Sequence, residues 1–460
     1  MPMNHQMGEI DSDVISTLCT NLEPYNSISP DKFTRYGAKR GLRNADGTGV
    51  LAGITRLSNV HGYLLNEGER EPIQGRLSYR GIDLYDLLHG FESENRFGFG
   101  EVAFLLLSGR LPTEQQLFDF RQAIGKAREL PENFTEDMIM RAPSRDIMNK
   151  LASATLALYS YDPNPDDTSP ENIMRQSMSL ISKFPVIISH AYQAKRRYFD
   201  GDSMYLHNPD PTRSTAENIL HLIRPDGNYT DAEAKLLDRC LIIHAEHGGG
   251  NNSAFATRVV SSSGTDTYSA VAAAVGALKG PRHGGANIKV CQMFDDIKEH
   301  VSDWKDDDEI YAYLLKILHK EAGDHSGLIY GMGHAVYTLS DPRAVALKAA
   351  ARPLAEKLGK TEEMALIEAV ERLTPQAFAE VRGDDVKVMC ANVDMYSGFV
   401  YHMLGIPREM FTPLFATARI AGWLAHRMEE VMTGGKIIRP AYKPIIKDRK
   451  YIPIGKRTEE

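Results

Sequence analysis

Apolar residues recur at helical spacing along most of the chain from about residue 83 onward. Leu117, Phe120 and Ile124 fall on one face of such a stretch. Thr113 and Gln116 form a capping box just ahead of them, which marks the start of a helix. The pattern predicts a nearly all-helical protein, because it repeats in segment after segment with no sustained alternation of apolar and polar positions.

Similar patterns predict helices over residues 10–22, 147–161, 172–197 and 268–279, from Thr230, and from about residue 286. Two expectations concern proline, which fits poorly inside a helix. We expect Pro185 to break the helix over residues 172–197. We expect Thr361 to cap one helix and Thr374, followed by Pro375, to cap the next.

Short strands are predicted only near the front of the chain, over residues 50–55 and 75–79. The polar residues 66–75 are expected to form the turn between them. Residues 1–46 are polar and mixed, and we interpret them as an N-terminal arm. The fold class is therefore all-α, with a minor N-terminal β element.

The composition of the 460 residues is that of a globular protein, with 42% hydrophobic and 25% charged residues. A net charge of -8 argues against general nucleic-acid binding, which needs a basic surface. The four cysteines are widely scattered with no CxxC pair, so free thiols are expected. No apolar run reaches the length of a membrane span. We expect a cytoplasmic protein that binds neither nucleic acid nor membrane.

Four short segments carry the residues suited to chemistry: HAEHGGGNNSAFATR from residue 244, GPRHGGAN from 280, YGMGHAVYTLSDPR from 330 and CANVDMYSG from 390. Gly-Pro ends a helix just before His283, and a new helix predicted from residue 286 would place this imidazole at a positive helix end. We expect this to keep His283 neutral. Glycines beside His283 and His334 allow a ligand to come close.

Each residue also has a plainer interpretation. His244 and His247 are helix-end residues or zinc ligands, and Asp394 is a helix cap. Arg419 lies on an apolar helix face, where a guanidinium needs an anionic partner. Taken together, neutral histidine donors, one aspartate base and several arginines suit removal of a proton next to a carbonyl, followed by attack on an oxoacid with two carboxylates.

In this combination and order, the four segments, with FATARIAGWLAH and IIRP downstream, resemble the citrate synthase family from about Gly47 to Pro440. The resemblance implies an all-α fold with an active site between two domains. The implied domains are an arm over residues 1–46, a large domain over 47–286 and 405–460, and a small domain over 287–404. Closure of the two domains would bring the base and the donor together.

The resemblance also implies a role for each matching residue. Asp394 would take the methyl proton of acetyl-CoA, His283 would donate to the enol oxygen, and His334 would polarise the oxaloacetate carbonyl. The residues implied to hold oxaloacetate are His247, Arg343, Arg419 and, from the other subunit of a homodimer, Arg439. The backbone of Gly331, Met332 and Gly333 would contact the CoA adenine.

The family implies an acyltransferase of the tricarboxylic acid cycle that uses acetyl-CoA as a co-substrate, with no permanently bound cofactor and no metal. Three alternatives stay open at this point. A 2-methylcitrate synthase acting on propionyl-CoA would share these motifs, since one methylene changes only the pocket volume. A zinc hydrolase would use His244 and His247. An inactive helical scaffold is disfavoured, because it would need none of His283, His334 and Asp394 together.

Overall fold

The computed structural model describes residues 10–20, 22–44, 47–66, 69–383 and 389–457. The chain divides into two compact units. One is Leu51–Lys436, and the other is formed by the two terminal segments, Met1–Val50 and Ile437–Glu460. Eighteen α-helices and a three-stranded sheet lie in the described residues, which confirms the all-α class with a minor N-terminal β element.

The helices in chain order are α1 Ser12–Cys19, α2 Leu22–Asn26, α3 Pro30–Arg35, α4 Leu84–Ser93, α5 Phe99–Ser108, α6 Glu114–Lys126, α7 Ile147–Leu158, α8 Pro170–Lys195, α9 Thr215–Ile223, α10 Asp231–His244, α11 Asn252–Ser261, α12 Thr267–Lys279, α13 Ala286–His300, α14 Asp307–Leu318, α15 Pro342–Lys357, α16 Thr361–Arg382, α17 Asp394–Met403 and α18 Phe411–Thr433. The first three belong to the terminal unit, and the others belong to Leu51–Lys436.

Helix α18 forms the centre of the larger unit. Every residue from Phe411 to Met428 is buried. A helix that is apolar on nearly all sides must be surrounded by other elements. Accordingly, α18 packs against α5, α8, α10, α11 and α12. Charged side chains on this helix, such as Arg419, are therefore held deep inside the protein.

The predicted helix starts are largely confirmed. Thr113 caps α6 with Gln116 in a capping box, and Thr230 caps α10 in the same way. Helix α13 begins at Ala286, as expected. Helix α1 falls within the predicted residues 10–22. The four cysteines are unpaired. Over the described ranges, we find no helix with the length and apolar character needed to cross a bilayer.

Two predictions based on proline are wrong. Pro185 lies inside the continuous helix α8, and Pro375 lies inside α16, so Thr374 caps no separate helix. The expected cap at Thr361 is also wrong, because Thr361 is the first residue of α16 and Lys360 is its N-cap. An interior proline costs about 3 kcal/mol. Helix α8 packs against α7, α9 and α18, and α16 packs against α14, α15 and α17. This burial outweighs the local cost, since tertiary packing supplies most helical stability.

The sheet is an antiparallel meander in the order β1-β2-β3. Its strands are β1 Ser58–Asn66, β2 Glu69–Tyr79 and β3 Ile82–Asp83. Ser58 pairs with Tyr79, and the register shifts between His61 and Tyr63. The predicted strand at residues 50–55 is wrong, and most of the expected turn at residues 66–75 belongs to β2. Glu71, Pro72 and Gln74 are exposed, so this part of the strand has the polar composition of a turn.

The hairpin packs tightly against the chain that follows His334. A Cβ at Gly62 would lie 2.7 Å from the Val336 carbonyl oxygen, and one at Gly75 would overlap the Ser340 carbonyl. The Gly75 N–H donates to the Ser340 hydroxyl at 3.1 Å. Glycine is required at both positions because backbone meets backbone there. The small sheet therefore supports a loop that carries site residues.

Candidate active site

Arg419 is the most deeply placed of the predicted site residues. It is fully buried on α18, where its Nε donates to the His244 carbonyl at 2.6 Å and its guanidinium lies over the Phe415 ring at 4.8 Å. Nη1 and Nη2 are buried without a hydrogen-bond partner among the described residues. Burial lowers the pKa of Arg419 to about 10, so the side chain is still a cation at neutral pH. A buried cation with two unsatisfied donor groups is suited to binding an anion.

His247 lies in the loop between α10 and α11, close to His334. Their rings meet edge to face at 5.1 Å, and His247 also contacts Tyr337 at 5.6 Å. Burial, followed by the charges of Arg343 and other neighbours, lowers the pKa of His247 well below its ordinary value. Its Nε2 is buried without a hydrogen-bond partner in the described part of the chain. His247 is therefore a neutral imidazole.

Arg343 and Asp341 form a buried bidentate ion pair at the start of α15. The Arg343 Nε donates to Asp341 Oδ1 at 3.0 Å, and its Nη2 donates to Oδ2 at 2.7 Å. Asp341 is the N-cap of the helix, and Pro342 occupies the first turn, which fixes the backbone locally. The pair orients the guanidinium, whose Nη2 lies 3.5 Å from His334 Nε2.

The loop backbone fixes the tautomer of neutral His334. The N–H groups of Val336 and Tyr337 both donate to His334 Nδ1 at 3.1 Å. A nitrogen that accepts hydrogen bonds carries no proton. Arg343 Nη2 lies too far from Nε2 for an ordinary hydrogen bond, so neutral His334 bears its proton on Nε2. The ring also stacks on Tyr337, with centroids 4.5 Å apart. These contacts orient Nε2–H as a hydrogen-bond donor.

His283 lies in the short turn between α12 and α13. Its Nε2 is 2.9 Å from the Ser253 hydroxyl, which accepts from Trp423 Nε1 at 3.0 Å and donates to Asn251 Oδ1 at 2.9 Å. Burial, with a smaller effect of Arg419, lowers the pKa of His283 to about 4. The predicted neutral imidazole is confirmed, but burial is its main cause rather than the end of the helix.

Asp394 is the first residue of α17 and not its N-cap, which is Val393. The Asp394 N–H donates to Asn392 Oδ1 at 3.0 Å. Burial raises the pKa of Asp394 to about 6, although the charges of Arg343 and Arg419 oppose this rise. A buried carboxylate with a raised pKa is a stronger base than an exposed aspartate.

The predicted adenine segment pairs with the chain just before Asp394. The Gly333 N–H donates to the Cys390 carbonyl, and the Asn392 N–H donates to the Gly331 carbonyl, both at 2.8 Å; Met332 bridges to Ala391. Gly331 and Gly333 have φ of +85° and +89°, which favour glycine. Any ligand held by this backbone would therefore sit beside the segment that carries the base.

Arg419 connects most of these residues. Its charge acts on His247, His283 and Asp394, and the charge of Arg343 acts on His247 and Asp394. His334 joins this group because it contacts both His247 and Arg343. The structure thus brings six of the predicted residues together. Arg439 belongs to the terminal unit, and its role stays a prediction.

Four further residues contact the site residues or orient them, and the sequence predicts no role for them: Glu246, Ser253, His426 and Asn392. The contacts of Ser253 and His426 join residues up to 180 positions apart, so no local pattern marks them. Glu246 lies between His244 and His247, but this spacing does not match the HExxH pattern of a zinc site. Asn392, two positions before Asp394, is a local signal that was available, because asparagine commonly bonds the backbone two residues on.

A metal site finds no support in the ranges that the structure describes. No group of three or more His, Cys, Asp or Glu side chains is arranged there to hold a metal ion. The Nδ1 of His244 donates to the Cys240 carbonyl at 2.8 Å, and its ring packs against Phe415. His244 is a packed helix-end residue.

Known proteins are similar to this chain in sequence and in fold. A family model described as citrate synthase, C-terminal domain, matches residues 45–441. A citrate synthase of Acidithiobacillus ferridurans is 34% identical over 89% of this chain and 97% of its own. A 2-methylcitrate synthase of Corynebacterium glutamicum is 30% identical over the same shares, 89% and 97%.

A solved structure has a similar arrangement of helices. It is the citrate synthase of Thermoplasma acidophilum in a ternary complex with carboxymethyl coenzyme A and oxaloacetate. It superposes with a TM-score of 0.72 at 27% identity, covering 89% of this chain and 97% of its own. The match to the family over most of the chain, together with this shared fold, shows that the chain belongs to the citrate synthase family.

Proposed function

We propose that this protein condenses acetyl-CoA with oxaloacetate and water to give citrate and CoA, through an enol and a citryl-CoA thioester. The observation that supports this most is the buried Arg419 with two unpartnered donor groups, beside neutral His247 and the buried base Asp394. A dicarboxylate oxoacid satisfies the arginine, and a thioester methyl group next to a carbonyl needs the base.

Oxaloacetate is held by His247, Arg343 and Arg419. Arg343 is already fixed by Asp341, which leaves the guanidinium in one orientation before the substrate arrives. Preorganised donors cost little to arrange at the moment of reaction. His334 donates its Nε2–H to the ketone oxygen, which makes the carbonyl carbon more electrophilic, and gives this proton to the new alkoxide.

Asp394 removes a proton from the acetyl methyl group, and His283 donates to the enol oxygen. Trp423 Nε1 can only donate, so the Ser253 hydroxyl accepts there and has one proton to give. In the structure this proton goes to Asn251 Oδ1. We propose that the hydroxyl turns to His283 Nε2, 2.9 Å away, when the thioester binds, which places the ring proton of neutral His283 on Nδ1. Nδ1–H is then the donor to the enol oxygen, and the low pKa of His283 keeps the ring neutral.

We further propose a small domain over residues 287–404 and a large domain over 47–286 and 405–460, with domain closure completing the site. The backbone of Gly331, Met332 and Gly333 contacts the CoA adenine. The chain works as a homodimer in the tricarboxylic acid cycle, with Arg439 reaching the site of the other subunit. The cytoplasmic location rests on the composition and the unpaired cysteines.

The assignment of the base is tested with Asp394→Ala. Thiol release from acetyl-CoA in the presence of oxaloacetate should fall about 100-fold or more, while the melting temperature stays near that of the parent protein. Asp307→Ala is the matched control, because Asp307 is an exposed carboxylate that pairs with Arg372 at the start of α14. Near-normal turnover by Asp394→Ala would end the assignment.

The similarity to a 2-methylcitrate synthase keeps propionyl-CoA as a second candidate substrate. The two acyl groups differ by one methylene, which is worth about 1–3 kcal/mol in a pocket. Thiol release should therefore be measured with both thioesters, each with oxaloacetate. We expect a higher kcat/KM with acetyl-CoA, and a reversed ratio would make the protein a 2-methylcitrate synthase.

A further inference from the structure

Glu246 is a fully buried carboxylate between His244, the last residue of α10, and His247 in the α10–α11 loop, and the mechanism above gives it no role. Its Oε1 accepts three hydrogen bonds, from the Ser58 hydroxyl at 2.9 Å, the Gly248 N–H at 2.6 Å and His426 Nε2 at 2.9 Å. Its Oε2 is buried and has no partner among the described residues. Burial of an ionised carboxylate is costly unless a charge compensates it.

His426 does not provide that charge. The Nε of Arg258 donates to His426 Nδ1 at 3.0 Å, and a guanidinium can only donate. His426 Nδ1 therefore carries no proton, and the ring is a neutral donor to Glu246 through Nε2–H. Arg258 in turn forms ion pairs with Glu429 and, at 2.9 Å, with Glu430. Glu246 keeps its full negative charge.

Arg419 is the buried cation that acts on Glu246. Burial alone would raise the pKa of Glu246, whereas the hydrogen bonds from His426 Nε2–H and the Ser58 hydroxyl, together with the charge of Arg419, lower it. Conversely, Glu246 is the strongest of the charges that raise the pKa of Arg419. No hydrogen bond joins the two side chains, since Oε2, Nη1 and Nη2 are all unpartnered in the described part of the protein. The two charges compensate each other at a distance and leave the donors of Arg419 for another group.

The packing of α18 places Glu246 close to this helix. A Cβ at Gly422, three residues after Arg419, would overlap Glu246 Oε2 and lie 2.5 Å from the Ala245 carbonyl oxygen. The missing side chain lets the loop approach α18. The Tyr79 hydroxyl lies within hydrogen-bond distance of the carbonyls of Ile242, at 3.0 Å, and Glu246, at 3.2 Å, so it packs against the end of α10 and the start of this loop.

We propose that Glu246, oriented by His426 and Arg258, is a positioning residue whose negative charge allows Arg419 to be buried without a bound anion and thereby sets the affinity for the dicarboxylate substrate. This inference rests on the proposed function of Arg419 as a carboxylate anchor. The carboxylate of oxaloacetate meets an arginine whose charge is already partly compensated. Removing the charge of Glu246 should therefore strengthen oxaloacetate binding.

The test is Glu246→Gln, which keeps an oxygen for Ser58, Gly248 and His426 but removes the charge. Titration calorimetry with oxaloacetate alone should show a dissociation constant lower by about threefold or more. The melting temperature without ligand should fall, because Arg419 is left uncompensated, and the rise caused by oxaloacetate should be larger than in the parent protein. Glu429→Gln is the matched control, since it removes the same charge at the Arg258 end and should leave oxaloacetate affinity within about twofold.

A merely structural role for Glu246 predicts the opposite sign: weaker oxaloacetate binding and a smaller rise in melting temperature, and either result would overturn the inference. If Glu246→Gln does not fold, the double variant Glu246→Gln/Arg419→Gln should fold again, because it buries no uncompensated charge. Failure of the double variant to fold would also refute the inference. Arg419→Lys distinguishes failure of the proposed function from failure of this inference. Unchanged oxaloacetate affinity in Arg419→Lys would show that Arg419 does not anchor the substrate. Weaker binding in Arg419→Lys, with no stronger binding in Glu246→Gln, would refute only the role of Glu246.

Discussion

At the scale of single residues, α18 carries two buried arginines with opposite hydrogen-bonding states. Arg427 donates to the Thr267 hydroxyl at 2.9 Å, the Ser261 hydroxyl at 3.2 Å and the Thr265 carbonyl at 2.7 Å. Arg419 makes one hydrogen bond through Nε, and its two Nη groups have none among the described residues. Burial lowers the pKa of both to about 10. Arg427 is therefore a structural crosslink, whereas Arg419 is suited to binding a ligand.

This contrast predicts different effects of the same substitution. Arg419→Lys should raise the KM for oxaloacetate about tenfold or more, because lysine cannot make a bidentate contact with a carboxylate. Arg427→Lys should instead lower stability by about 1–3 kcal/mol and leave this KM nearly unchanged. Steady-state kinetics and thermal melting of both variants check the prediction. Similar KM values for the two variants would contradict it.

The raised pKa of Asp394, about 6, predicts a pH dependence of the reaction. Below that pH the carboxyl group is protonated and cannot accept the methyl proton. The kcat/KM for acetyl-CoA should therefore fall about tenfold per pH unit below the midpoint and level off above it. A profile measured between pH 4 and 8 checks this. A midpoint at the ordinary aspartate value of about 3.9 would show that burial does not shift the base.

The sequence predicted the residues that act, but few of those that orient them. His283, His334 and Asp394 were identified because glycines and small residues beside titratable groups form visible local patterns. Ser253 meets Trp423 across 170 positions, and no spacing along the chain signals this contact. The neutral state of His283 was predicted from a helix end, whereas the structure attributes it mainly to burial.

At the scale of elements, the position of α17 decides where Asp394 lies. A Cβ at Gly398 would overlap the Cys291 sulfur of α13, so the two helices approach closely at this point. Glycine in a helix interior usually costs about 0.5–1 kcal/mol relative to alanine. Packing against α13 therefore outweighs the lower helix propensity of glycine at this position. The contact sets how closely α17 approaches α13.

Gly398→Ala should move α17 and lower kcat about tenfold or more, with a lower melting temperature. Cys291→Ala should rescue much of the loss in the double variant, because it removes the atom that the new methyl group meets. Gly90→Ala is the matched control: this glycine lies in α4 with open space around its Cβ position, so the change should be neutral or slightly stabilising. Kinetics and melting of the four variants check the prediction, which fails if Cys291→Ala gives no rescue.

The start of a helix can be predicted where residues within one helical turn form its capping hydrogen bonds. The capping boxes at Thr113 and Thr230 satisfy free N–H groups within one helical turn, so they are readable from sequence. The sequence does not show that Pro185 and Pro375 lie inside continuous helices, because the packing that tolerates them comes from distant helices. In the first half of β2, the exposed residues Glu71, Pro72 and Gln74 have the polar composition of a turn, so the sequence does not reveal the strand there.

At the scale of the whole molecule, the terminal segments form a unit of their own that includes Arg439. The family resemblance places this arginine in the site of a second subunit. The structure contains one chain, so the assignment stays a prediction. It has a distinctive consequence, because a site made by two chains can be rebuilt from two different defective chains.

Mixed dimers of Asp394→Ala and Arg439→Ala subunits test this arrangement. If Arg439 acts across the interface, one site of each mixed dimer carries both defects and the other carries neither. Random re-association of inactive parents should then restore about a quarter of the parent activity. Thiol release after mixing, against each variant re-associated alone, checks the prediction. No recovery would show that Arg439 serves its own chain.

The contact of the β1–β2 hairpin with the loop after His334 would limit how the two proposed domains can rotate. Gly62 and Gly75 belong to the proposed large domain, whereas Val336 and Ser340 belong to the proposed small domain. Backbone held this closely cannot slide without a clash. If the proposed small domain moves, the hairpin should travel with it or mark the axis about which it turns, and we expect a crosslink between these two segments to spare catalysis.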